Sequence, residues 1–280
     1  MKEQLPSLIE PEELLHLPKG SYILIDTGPS RERYIMRHLQ GALYADLNAD
    51  LAHVPDDPAM GGRHPLPFPE KFGNVLGQLG ITQDSHVIVY DDKNGANPAA
   101  RFWWMLRAAG HNRVQVLNGR LQSAEKEGYS ATDCIEYAKP GKDYNFSHWL
   151  LPLVHMAEVE MAISKDDFVV IDVRDKERFD GSTEPIDLVA GHIPGAINIP
   201  FVSNLDAGGK FLSPTALREK YTAALAGVPI ENVIVHCGSG VTACHTLLAL
   251  DHAGLGIPKL YVGSWSEWSR NPKAIGRNSI

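Results

Sequence analysis

The sequence predicts an α/β protein built by duplication, with two tandem domains, each a mostly parallel sheet with helices on both faces. Three observations carry this. Short β-branched runs alternate with amphipathic segments of helix length, the signature of strands buried on both faces by helices. Blocks of the first half recur in the second: ILID (23–26) as VVID (169–172), HLQGALYADL (38–47) as HIPGAINIPF (192–201), VIVYD (87–91) as VIVHC (233–237), and VQVLNG (114–119) as KLYVGS (259–264). The recurrence keeps its offset, 146 residues from Asp26 to Asp172 and again from Asp91 to Cys237, as a duplicated unit requires.

At 280 residues the chain has room for two domains of ordinary size. The segment TDCIEYAKPGKDYNFSHWLLP (132–152) has no sustained period and carries Pro, Gly and mixed polar residues, so it reads as an extended connector. The expected division is a first domain over 1–135, a linker over 136–152 and a second domain over 153–280. A helix beginning between His155 and Met161 should lead into the strand at Phe168–Asp172.

Composition excludes several classes. The net charge of −8 argues against non-specific attraction to nucleic acid or anionic lipid, and it means that an anionic substrate would need local positive charge. The opening residues MKEQLPSLIEPEELL lack the apolar core of a signal peptide, and no run is long enough to span a membrane. Three cysteines, Cys134, Cys237 and Cys244, are not a disulfide framework and fit a reducing compartment, so the cytoplasm is expected.

The chemistry concentrates in NVIVHCGSGVTACHTLLALDHAG (232–254). VIVH is a buried-strand pattern, CGSGV a tight loop, and VTACHTLLALDHAG a helix ending at Gly254. Cys237 thus falls where the carboxyl end of a parallel strand meets a helix N-terminus, the usual place for a site in an open α/β sheet. Loop amides and the helix dipole favour a thiolate there, and Gly238 and Gly240 are expected to let the backbone curl so that amides converge. The same cysteine also suits a buried structural role at a strand end.

CGSGVTA (237–243), GHIPGAIN (191–198) and GSWSEW (263–268), with VIVYDD (87–92) and ARFWWMLRAAGH (100–111) in the first half, resemble tandem-domain sulfurtransferases of the rhodanese superfamily. The loop resembles that of the 3-mercaptopyruvate sulfurtransferases, and the likeness covers nearly the whole chain. It implies two rhodanese-like domains of which the second is catalytic. The first has Asp91 where the second has Cys237; a carboxylate cannot carry a persulfide, and Asp91 reads as a loop carboxylate capping the next helix. The resemblance further implies sulfur transfer from 3-mercaptopyruvate to Cys237, then to a thiol acceptor such as thioredoxin, or to cyanide. Thiosulfate is the alternative donor. No metal spacing occurs around Cys237 or Cys244, and no cofactor is called for.

For the residues around the cysteine the resemblance implies specific roles. Arg178, in ERFDG (177–181), would grip the donor carboxylate with two parallel hydrogen bonds; its alternative is an ordinary surface arginine. Mercaptopyruvate enzymes carry a second arginine a few residues on, whereas STEPIDLVAGH (182–192) places Ile186 and Asp187 there. Ser239 and His64, in GGRHPLP (61–67), would form a proton relay, with an acid matched only by Asn48 between Asp46 and Asp50. Gly238, Gly240, Val241 and Thr242 would line the substrate, and the uncharged pair Gly238 and Ser239 favours a monoanionic keto acid over a dianion. Arg63 and Arg101 are further cations that sequence does not place. Cys244, two turns into the helix, lies beyond disulfide reach of Cys237 and reads as core, as do Trp103, Trp104, Trp265 and Trp268.

Two other functions fit the residues less well. Cysteine phosphatases need an arginine at the sixth position after the cysteine, where this chain has Ala243. Rhodanese-like regulatory modules usually lack the cysteine.

Overall fold

The computed structural model describes residues 4–277 apart from Asn97 and Asp143. The first three residues of the expected first domain, Asp143 of the connector and the last three residues lie outside the described residues. Residues up to Ala52, with Pro67–Leu150, make one compact unit; His53–Leu66 and the residues from Leu151 onward make a second.

In the first unit five parallel strands lie in the order Leu8–Ile9, Val114–Leu117, Val87–Tyr90, Ile23–Asp26, Ala42–Tyr44. In the second the order is Leu153–Val154, Lys259–Tyr261, Val233–His236, Val169–Asp172, Ile197–Asn198, again all parallel. The two orders are the same when matched by the sequence repeat, so the duplication read from the blocks is a duplication of topology. The central strands VIVY and VIVH are buried at every residue, which is why they show continuous apolar runs without alternation.

Each central strand feeds a helix that is itself almost wholly buried. Pro98–Ala108 opens on proline, whose missing N–H costs nothing at a helix start, and buries Trp103, Trp104 and Met105 completely. Ala243–His252 buries every residue from Ala243 to Leu250. Both therefore lie in the interior, with polar side chains such as Arg101 and His245 buried among the apolar ones. The helix expected near His155 spans Met156–Ala162, with Glu158 returning to the His155 amide at 2.8 Å.

The connector is irregular in hydrogen bonding yet packed on the first unit. The Gly141 amide donates to Gly77 O at 2.9 Å and the Leu150 amide to Ala108 O at 2.7 Å, and Trp149 meets the rings of Phe72, Phe146 and Trp104. Gly73 permits this approach: a Cβ there would stand 2.3 Å from Tyr144 O. Among the described residues, no helix is long and apolar enough to cross a membrane.

Candidate functional site

The strand Val233–His236 delivers Cys237 at its carboxyl end, and the loop to Thr242 precedes the helix Ala243–His252. Cys237 is 3% exposed. Its amide donates to Ser264 Oγ at 3.2 Å and its carbonyl accepts from the Trp265 amide at 3.0 Å, while Gly238 O accepts from the Ser266 amide at 2.9 Å. GSWSEW is therefore the brace of the cysteine loop. Ser264 holds φ of +54°, an uncommon left-handed conformation for a residue with a side chain, while its hydroxyl donates to Tyr261 O at 2.9 Å.

The two loop glycines do different things. Gly240 has φ of +74°, and a Cβ there would stand 2.5 Å from Val262 O, so both backbone freedom and close approach require glycine. Gly238 has no left-handed φ. Its role is clearance: a Cβ would lie 3.0 Å from Arg63 Nη2, 3.6 Å from Arg178 Nη2 and 3.7 Å from Arg178 Nη1. The expectation that both glycines curl the backbone is thus corrected for Gly238. Among the described residues, the amides of Gly238, Ser239, Val241 and Thr242 find no acceptor in the protein, leaving donors in the loop after the cysteine.

The segment 53–66, in the first half of the sequence, belongs to the second unit, and it brings two chemical groups to the loop. Gly62 has φ of +85° and lies so close to Gly263 that a Cβ would meet its carbonyl oxygen at 2.4 Å. The Gly61 amide donates to Glu267 Oε1 at 3.0 Å and the Arg63 amide to Ser266 Oγ at 3.0 Å. Burial and the neighbouring Glu267 push the Tyr261 hydroxyl far up, so it stays protonated and donates to Glu267 Oε2 at 2.7 Å. Fastened in this way, His64 places Nδ1 2.8 Å from Ser239 Oγ, with Ser239 7% exposed. Asn48 and its flanking acids lie in the first unit. Asp46 Oδ1 accepts from the amides of Asn48 and Ala49, and Asp50 Oδ2 from the Asp46 amide, so these carboxylates order their own loop.

Arg178, on the helix Lys176–Asp180, is far from an ordinary surface arginine. Its Nε lies 3.1 Å and its Nη2 2.7 Å from Glu184 Oε1, and Nη2 is 3.4 Å from Asp187 Oδ2. Glu184 also accepts from the Ile186 and Asp187 amides and from Arg174 Nη1, each at 3.1 Å. Burial works against its charge, but the bond from Arg178 and those amides hold the carboxyl below its ordinary value. The Nε–Nη2 edge of Arg178 is thereby occupied. Nη1 has no acceptor in the protein among the described residues, so the expected two-bond grip by Arg178 alone is revised.

Asp187, with no side-chain exposure, gathers three guanidiniums: Oδ1 lies 3.2 Å from Arg63 Nε and 2.9 Å from Arg270 Nη1, and Oδ2 3.4 Å from Arg178 Nη2. Behind them Arg174 reaches Asp172 at 2.6 Å and lies over the Trp265 ring at 4.7 Å. Burial alone would raise the Asp172 carboxyl; the Arg174 guanidinium bonded to it brings it below its ordinary value. Burial pushes His236 down toward its neutral form, so the guanidinium is the stable partner of that carboxylate. Four guanidiniums here meet three carboxylates, a surplus of one positive charge.

Sequence reasoning missed Glu184, Asp187, Arg63 and Arg270 as a network. The signals were the proximity of Arg63 to His64 and the acids in STEPID. Arg101, by contrast, is fully buried in a helix of the first unit. Cys244 is buried, its thiol 3.4 Å from Gly240 O, and all three cysteines are free thiols.

The chain matches the rhodanese-like domain twice, over residues 10–127 and 155–271. It belongs to the rhodanese family. A probable 3-mercaptopyruvate sulfurtransferase of Pseudomonas aeruginosa is 39% identical over 272 residues, covering 97% of this chain and 94% of the relative. A thiosulfate sulfurtransferase of Mus musculus is 34% identical over 260 residues, covering 91% and 85%. The structure of SseA from Escherichia coli, described as a 3-mercaptopyruvate sulfotransferase, superposes with a TM-score of 0.77 at 31% identity over 94% of this chain and 100% of that one. This rhodanese-family chain is a sulfurtransferase, with two rhodanese-like domains in tandem.

Proposed function

We propose that the enzyme takes the sulfane sulfur of 3-mercaptopyruvate onto Cys237 as a persulfide and passes it to a thiol acceptor, of which thioredoxin is one type, or to cyanide. The observation that carries the donor assignment is the 2.8 Å contact of Ser239 Oγ with His64 Nδ1. A donor whose leaving group must be protonated uses such a relay; thiosulfate, which releases sulfite, does not.

In this reading the Cys237 thiolate attacks the donor sulfur. The carbon–sulfur bond breaks, its electron pair passes to the former donor carbon as the pyruvate enolate, and Ser239, backed by His64, delivers the proton that yields pyruvate. The outer sulfur of the persulfide sits among the amides of Gly238, Ser239, Val241 and Thr242, which act as fixed donors to its negative charge. An acceptor thiolate then attacks that sulfur, and the electron pair of the broken S–S bond returns to Cys237. Arg178 Nη1 binds the donor carboxylate.

In the first domain, expected over 1–135 and joined through 136–152, Asp91 replaces the nucleophile. Its carboxylate accepts from the Lys93, Gly95 and Ala99 amides at 2.8, 2.9 and 3.2 Å, which supports a structural role and leaves the nucleophile to 153–280, with His64 supplied from the first half of the chain. Free thiols at all three cysteines support a reducing compartment such as the cytoplasm.

Thiosulfate is the second reading, favoured by the absence of a second arginine after Arg178. The neutrality of Gly238 and Ser239 does not decide between donors, because two guanidiniums border Gly238. Initial rates with the two donors and one acceptor test the assignment: kcat/KM should be higher with 3-mercaptopyruvate by about tenfold or more, and a preference for thiosulfate overturns it.

A further inference from the structure

We propose that Arg63 is the second carboxylate-binding residue of the donor site, standing in for the arginine absent from the STEPIDLVAGH segment. The inference rests on the donor reading above for the identity of the carboxylate, and on geometry for the residue. Arg178 presents its Nε–Nη2 edge to Glu184, Nη2 also faces Asp187 Oδ2 at 3.4 Å, and Nη1 is left as the outward donor. One nitrogen cannot hold both oxygens of a carboxylate in a fixed plane. A second donor must come from elsewhere.

Arg63 is in place to supply it. Its Nη2 lies 3.0 Å from the position a Gly238 Cβ would take, on the same residue that faces Arg178 Nη1 at 3.7 Å. Gly238 directly follows the nucleophile, so both guanidiniums border the point where a donor bound to Cys237 would extend. The guanidinium of Arg63 is steered by Asp187 through Nε at 3.2 Å and Nη2 at 3.5 Å, and its Nη1 has no acceptor in the protein among the described residues.

Asp187, one of the two residues nearest the position of the missing arginine, instead holds a cation brought in from residue 63. A Cβ at Gly238 would press on Arg63 Nη2 at 3.0 Å, while meeting Arg178 only at ordinary contact distance.

The test is the alkylation of Cys237 in the full chain by iodoacetate and by iodoacetamide, followed by mass on the Cys237 peptide. The two reagents differ in the carboxylate alone, so their rate ratio reads anion recognition whatever the natural donor. Arg63→Gln should lower the ratio about tenfold while the iodoacetamide rate stays within about threefold, and it should raise KM for 3-mercaptopyruvate about tenfold with kcat little changed. Arg63→Lys should fall between, since charge remains without the fork. Asp187 keeps Arg178 and Arg270 in these variants; should Gln nevertheless unfold the chain, a Lys variant with the wild-type ratio overturns the proposal. An unchanged ratio in a folded Arg63→Gln protein overturns it as well. A lowered ratio in an enzyme that does not use 3-mercaptopyruvate upholds Arg63 and removes the donor reading instead.

Discussion

Replacing Ser239 by Ala, or His64 by Asn, should cost the enzyme one donor and spare the other. The two side chains are joined at 2.8 Å, and Ser239 is nearly buried, so the pair is one proton path with little access for water to substitute. General acid assistance of this kind is worth about 10²–10⁴ in rate, and about a hundredfold is the fitting figure for a relay whose product enolate can also be protonated slowly by solvent. That loss is about 2.7 kcal/mol of transition-state stabilisation. Because both residues serve one path, the double variant should be no slower than about threefold below either single one, a coupling of about 2 kcal/mol by the double-mutant cycle. With thiosulfate all three variants should stay within about threefold of wild type, since sulfite leaves without a proton. The assay is kcat for each donor with a common acceptor, pyruvate and sulfite being measured directly. Equal losses on both donors, or additive losses in the double variant, refute the relay.

Two further outcomes follow from the loop and from its counterpart in the first unit. Gly240→Ala places a Cβ 2.5 Å from Val262 O at a left-handed φ; it should destabilise the protein by about 2 kcal/mol or more in chemical denaturation and slow transfer from both donors alike. Burial raises the Asp91 carboxyl to about 6. The folded form thus prefers the protonated acid, so this contribution is complete below about pH 4, falls as pH rises through about 6, and amounts to about 3 kcal/mol. Asp91→Asn should remove that fall from the stability profile between pH 4 and 7, and an identical profile in the variant refutes the assignment.

The repeat was legible because both copies keep buried, β-branched strands at a fixed offset, and burial is written into local composition. The position of Cys237 was legible for the same reason: strand, loop and helix are contiguous in sequence. The cation network was not. Arg63 joins Asp187 and Arg270 only because residues 53–66 belong to the second unit, held there by amide bonds from Gly61 and Arg63 to the Glu267 carboxylate and the Ser266 hydroxyl and by the close approach of Gly62 to Gly263, none of which leaves a periodic trace. Asp187 was visible as a departure from the expected arginine, yet its meaning depends on a partner 124 residues away. The reading of Gly238 failed in a related way. A glycine beside a catalytic cysteine signals backbone freedom or clearance equally well, and only the two guanidiniums against it decide for clearance.

The central claim is that sulfur moves through Cys237, and a single turnover tests it most directly. The enzyme, mixed with one equivalent of 3-mercaptopyruvate and no acceptor, should release about one equivalent of pyruvate and gain the mass of one sulfur atom on the Cys237 peptide. Cys134 and Cys244 should stay unmodified, and Cys237→Ser should release no pyruvate. Pyruvate release by Cys237→Ser, or sulfur found on Cys244 or Cys134 in place of Cys237, contradicts the account.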